Sequence, residues 1–273
     1  MLKKLLKYDL KSVFRYWWIL AASCLVISAA AGFAYNVIES DTDLPTVLYI
    51  FSGLTVFAFV IALFALLFLS KILMYVRFYQ NLFSDEGYLT FTLPVKRHHI
   101  LMSKLITDVL LSVASLAVTW ICIETFSVII GTGFISYEMG RAIWALCTVL
   151  AKSGITPILL IAELILATIL LALISSLTIF ACITIGAVIA KKHKVLAAIG
   201  TGYVFNMVST FILQIVMIFG MIGLAGLMMR VSDAAIPAIG VLMGFIAVLL
   251  LAVIYVLLFT IELRMLDKKL NLA

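Results

Sequence analysis

The chain has 273 residues, 66% of them hydrophobic and only 12% charged, with 19 Lys and Arg against 13 Asp and Glu for a net charge of +6. Its mean hydropathy of +1.28 excludes an ordinary soluble domain, and too little remains outside the apolar runs for a separate catalytic domain. The positive balance calls for no nucleic acid, because Lys and Arg gather at the ends of apolar segments, where membrane orientation and anionic lipid place them.

Residues 1–16 carry Leu2, Leu6, Leu10, Val13 and Phe14 at helical spacing, with Lys3, Lys4, Lys7, Lys11 and Arg15 on the other faces. That pattern predicts an amphipathic helix in the membrane interface, apolar face down and basic face toward anionic membrane lipid. Tyr16, Trp17 and Trp18 mark where it meets the bilayer. The first apolar run, 17–35, contains Ala29, Ala30, Ala31 and Ala34, which superficially suit a cleavage site. The basic segment before it is too long for an ordinary signal-peptide start, so retention is expected.

An apolar run of about 18 residues or more predicts a membrane span, because a helix satisfies its own backbone hydrogen bonds where lipid cannot. Six such runs are expected to cross: 17–35, 47–74, 105–130, 158–190, 195–229 and 238–263. The second, fourth and fifth exceed what a crossing needs, so they tilt, protrude or break. Gly220, Gly223 and Gly226, with Ala225, predict that the fifth ends near there and continues as a short re-entrant or outer-leaflet piece. A weaker apolar stripe, Ile135, Met139, Ile143, Leu146 and Leu150, makes 134–153 an outer-side amphipathic segment. A seventh span there would put the last two basic clusters on the wrong side of the membrane.

Charge sets the orientation. Basic residues cluster before the first run, in the loop after the second and at its edges (Lys71, Arg77, Lys96, Arg97, Lys104), after the fourth (Lys191, Lys192, Lys194) and after the sixth (Arg264, Lys268, Lys269). Arg141, Lys152 and Arg230 fall on the other side, where Glu39, Asp41 and Asp43 occupy the first outer loop. The expectation is an all-α integral membrane protein with six transmembrane helices, an N-terminal interfacial helix and both termini cytoplasmic.

Ionisable residues at membrane depth are costly and therefore functional candidates. Asp108, Glu124 and Glu163 are the pathway candidates. Asp108 follows Lys104 by one turn, which suggests an i,i+4 pair. Glu124 lies roughly 30 Å of helix beyond Lys104, near the outer surface, and Glu163 lies shortly after Pro157. For these two the simpler account is a carboxylate touching headgroups and water.

Several motifs are missing from the sequence. The chain contains no GxxxxGK[ST] loop, no Gly-Lys dipeptide and no HExxH, so neither a phosphate-loop ATP site nor a zincin centre is expected. His98, His99 and His193 sit in basic loops without further ligands at metal spacing. Cys24, Cys122, Cys147 and Cys182 are scattered through apolar context and read as small buried residues. Catalysis by this chain alone is not expected, and no directly bound cofactor or metal is.

The segment 75–104 is the main polar interruption. Tyr79 to Ser84 can continue as helix out of the second span, Ser84, Asp85 and Gly87 signal a turn, and Leu93-Pro94 precedes a basic helix start. Phe78, Tyr79, Leu82, Phe83, Tyr88, Leu89, Phe91 and Leu93 are more large apolar side chains than a connector requires, and predict a covered surface. Here the chain resembles the permease subunits of ABC exporters of the second type, in the form common in Gram-positive bacteria. Their loop pattern, acidic–x–Gly–x–Leu followed by Leu-x-x-Pro or Leu-Pro and a later Lys, is matched by Asp85, Glu86, Gly87, Leu89, Leu93, Pro94 and Lys104. The arginine often found before the acidic position is replaced by Phe83 and Ser84.

The resemblance implies a coupling helix that docks on a separate ABC ATPase subunit through Tyr79, Leu82, Phe83, Asp85, Glu86, Gly87, Tyr88, Leu89 and Pro94. It also implies a second permease copy or homologous permease with the pathway between the two, ATP acting only through the partner, and residence in the bacterial cell membrane. An ion-coupled secondary transporter and a non-transporting assembly or sensor subunit are the alternatives.

Overall fold

The computed structural model describes residues 2–40, 45–83, 97–152, 157–189, 197–211, 214, 218 and 236–268. Among them the chain is all-helical, with no strand. In chain order the helices are α1 (Leu2–Glu39), α2 (Thr46–Phe83), α3 (Arg97–Ile129), α4 (Ile135–Lys152), α5 (Pro157–Ile189), α6 (within 197–211) and α7 (Ile236–Lys268). Five of them, α1, α2, α3, α5 and α7, are long and apolar enough to cross a membrane. The chain is a multi-pass membrane protein. The glycines at 220, 223 and 226 lie outside the described residues.

The segment expected to lie in the interface and the first expected span form one unbroken helix, α1. It runs for about 57 Å, against a hydrocarbon core of about 30 Å. The second span likewise continues from 74 to Phe83 without a break. Pro45 and Pro157 stand at the starts of α2 and α5, where a missing N–H costs nothing. The chain leaves α3 through Gly131 and Gly133, both at φ near +80°, a conformation that glycine adopts without steric cost. α4 has its apolar residues segregated to one face and its side chains mostly exposed.

Two compact units divide the chain: 1–81 with 99–144, and 82–98 with 145–273. In the first, α1 and α3 run parallel in a nearly constant register. Ser103 pairs with Asp9, Trp17 with Ser115, Cys24 with Cys122 and Asn36 with Ile129, at sequence separations of 93 to 98. A stripe of small residues on α1, Ala21, Cys24, Ser28 and Ala31, is buried. Small side chains let helix backbones approach when lipid supplies no hydrophobic drive between them. Gly32 belongs to the same stripe: a Cβ there would lie 2.8 Å from Ile129 Cβ and Cγ2. α2 runs the opposite way, matching Ser70 to Ser115 and Phe59 to Phe126, whose rings stack at 4.9 Å. Phe57, Phe64 and Phe68 of α2 are exposed.

In the second unit α5 and α7 pack closely and in parallel, with Glu163 meeting Gly244 and Thr184 meeting Glu262. α6 turns back along the end of α5: Gly186 abuts the backbone of Ala198, and Thr201 donates to the Cys182 carbonyl at 3.0 Å. Each unit thus contains a parallel helix pair and an intervening antiparallel helix.

Candidate functional site

In the first unit a file of polar side chains follows the α1–α3 seam. At its basic end the Asp9 carboxylate accepts from Ser103 Oγ and forms an ion pair with Lys104. One turn on, Lys71 Nζ of α2 donates to Asp108 Oδ2 at 2.7 Å, and Asp108 is fully buried. Further along, Trp17 Nε1–H donates to Ser115 Oγ at 2.9 Å, and Ser115 donates to Ser70 Oγ at 2.8 Å. Ser28 Oγ donates to the Cys122 carbonyl, and the free thiols of Cys24 and Cys122 lie 3.6 Å apart. Two opposite charges within a few ångström offset much of what each costs in a low dielectric. The file is therefore a charge-compensated clamp that ties α2 and α3 together at one level and α1 and α3 at the next.

The three candidate carboxylates have separate settings. Asp108 and Lys104, spaced for a pair within α3, have partners across helices in Lys71 and Asp9. Both face the packed side of α3, where neighbouring helices come closer than the aqueous surface. Glu124 accepts the backbone N–H groups of Ile135 at 3.1 Å and Ser136 at 2.6 Å, and so caps the start of α4. Glu163, half-buried on α5, fills the space that Gly244 leaves open on α7. Asp108 and Glu124 are roughly 24 Å apart along α3, so they do not share one polar chamber.

A fourth carboxylate stands out in the second unit. Glu262 of α7 is completely buried; its Oε1 accepts from Thr184 Oγ1 of α5 at 2.6 Å, and its Oε2 has no hydrogen-bond partner. No cation lies within ion-pair distance among the described residues. The only sequence signal was a Glu inside an otherwise apolar run, and nearness to the basic tail at Arg264 disguised it. A buried carboxylate with one neutral partner takes up a proton or a cation rather than stand bare in a low dielectric. Among the described residues, no group of three His, Cys, Asp or Glu side chains could hold a metal ion.

Comparisons with protein-family models, curated proteins and solved structures return no match. Of the expected docking residues, Tyr79, Leu82 and Phe83 form the last turn of α2, Leu82 buried and the other two half-buried. Asp85, Glu86, Gly87, Tyr88, Leu89 and Pro94 lie outside the described residues.

Proposed function

We propose that the chain is the permease subunit of an ATP-binding cassette exporter in a bacterial cell membrane. It has six spans and both termini in the cytoplasm, and a separate ATPase drives it through segment 75–104. The observation that carries this proposal is the junction of that segment with the helices beside it. α2 holds its helix for nine residues past the expected end of its span, and α3 begins eight residues before its own. A stiff helix extending about 14 Å transmits a displacement that a slack connector would absorb. The ion pairs Lys71–Asp108 and Lys104–Asp9 couple α1, α2 and α3 close to that junction, so a push on the segment would move three helices as one body. The loop pattern Asp85, Glu86, Gly87, Leu89, Leu93, Pro94 supplies the resemblance that names the partner.

Such a permease works in pairs, with the pathway between two copies or two homologues and ATP bound only by the partner. Flipping it from mostly inward to mostly outward requires differential binding of about 5.5 kcal/mol. The test is purification of the tagged full chain from its native membrane. The expected result is an ATPase subunit bearing a phosphate loop in stoichiometric yield, lost with Glu86→Lys while membrane insertion persists. Full recovery of the ATPase with that variant would place the docking surface elsewhere.

A second reading, an ion-coupled secondary carrier, is favoured by Glu262, a buried carboxylate suited to carrying a proton. It predicts gradient-driven uptake by the chain alone in liposomes, abolished by Glu262→Gln.

A further inference from the structure

One cavity in the first unit is lined by Tyr8, Lys11, Ser12 and Arg15 of α1 and Arg77 of α2, and measures about 220 Å³. The four α1 residues are spaced i, i+3, i+4 and i+7, which aligns them on a single face. Three cations therefore converge on one concavity, with two hydroxyls beside them. No carboxylate lies within ion-pair distance of Lys11, Arg15 or Arg77 among the described residues, and the nearest acid in sequence, Asp9, is committed to Lys104 and Ser103. Like charges held close together repel, and an anion between them relieves that repulsion. With a water occupying about 30 Å³, the volume admits a tetrahedral oxyanion together with the polar group it esterifies.

The depth of the cavity identifies the source of that anion. Tyr16 and Trp18, one residue and one turn beyond the lining, are half to two-thirds exposed, and aromatic side chains of this kind sit at the headgroup level of a bilayer. Arg77 lies over the Tyr16 ring, 5.9 Å from its centroid, so part of its charge is already oriented at that level. We propose that this cavity is a binding site for the phosphate of an anionic phospholipid, with Arg15 and Arg77 clasping the phosphate, Lys11 adding charge, and Ser12 and Tyr8 donating hydroxyls. It differs from diffuse attraction of a basic segment to a negative surface, because it draws on two helices and would saturate at one lipid. It does not depend on coupling to an ATPase.

The experiment is native mass spectrometry of the full chain titrated with phosphatidylglycerol, phosphatidylcholine or inorganic phosphate. The first phosphatidylglycerol should bind about tenfold or more tightly than phosphatidylcholine, and Arg15→Gln with Arg77→Gln should erase that preference. Lys3→Gln with Lys7→Gln removes equal charge from the same helix at residues that do not line the cavity, and should leave the preference within about twofold. Arg15→Lys with Arg77→Lys, which keeps the charge, should retain most of it and confirms that any loss is not misfolding. Equal loss in the pocket and control pairs would mean diffuse attraction and overturn the site. Displacement by millimolar inorganic phosphate without any preference between the lipids would assign the cavity to a soluble anion and overturn the lipid assignment.

Discussion

The two helix triads handle buried charge in opposite ways. On the α1–α2–α3 side every buried ionic group in the file has a counter-charge: Lys71 for Asp108, Asp9 for Lys104. On the α5–α6–α7 side the fully buried carboxylate of Glu262 has, among the described residues, a threonine hydroxyl and no counter-charge. A compensated pair is fixed in place and holds helices together, whereas an uncompensated carboxylate can change its protonation as surroundings change. The first arrangement suits a rigid transmitter, the second a group that responds.

Breaking the compensation should have the largest effect. Lys71→Met removes the cation that pairs with a fully buried carboxylate and should cost about 3–5 kcal/mol, read as a drop in the detergent or denaturant midpoint of the purified chain. Adding Asp108→Leu should recover most of that loss, because a well-packed apolar pair replaces a buried ionic one at little cost. Failure of the double variant to recover would show that Asp108 has a role besides the pair.

Packing along the same seam comes next. Gly32→Leu forces side-chain atoms into Ile129, already within 2.8 Å of a bare Cβ, and should cost about 1–3 kcal/mol. In the second triad, Thr184→Val takes away the hydroxyl that Glu262 accepts from and should cost about 1–3 kcal/mol. Glu262→Gln, which keeps a polar partner for Thr184 and removes the need to neutralise a carboxylate, should stay within about 1 kcal/mol of wild type. A loss comparable to that of Lys71→Met would mean that Glu262 is ionised and compensated, and the contrast between the triads would fail. The smallest effect belongs to Glu124→Ala, which uncaps α4 at about 1 kcal/mol; it is best seen as faster hydrogen exchange in the first turn of that helix.

The sequence made the long apolar helices legible, because a run of apolar residues admits few arrangements other than a crossing helix. It could not show that α1 continues unbroken from its basic end into its span: amphipathic and apolar stretches are equally helical, and the pattern alone does not decide whether the two join as one helix. The cross-helix partner of Lys104 is invisible in the sequence for a related reason. An i,i+4 neighbour is visible in the sequence, while Asp9, 95 residues away, becomes a neighbour only through the parallel register of α1 and α3. Glu124 was placed near the outer end of its helix by simple length, but its task as a cap depended on where the chain turned at Gly131 and Gly133. Glu262 was hidden by its basic neighbours, since sequence proximity to Arg264 suggests an exposed tail although the helix buries that face against α5.

The central claim, that energy reaches this chain from a partner ATPase through segment 75–104, is most directly tested by ATP hydrolysis in the preparation purified from native membrane. The wild-type chain should carry ATPase activity into proteoliposomes, and Gly87→Pro should abolish its stimulation by the permease without releasing the chain from the membrane. A preparation that hydrolyses no ATP, yet transports when only an ion gradient is imposed, would contradict it.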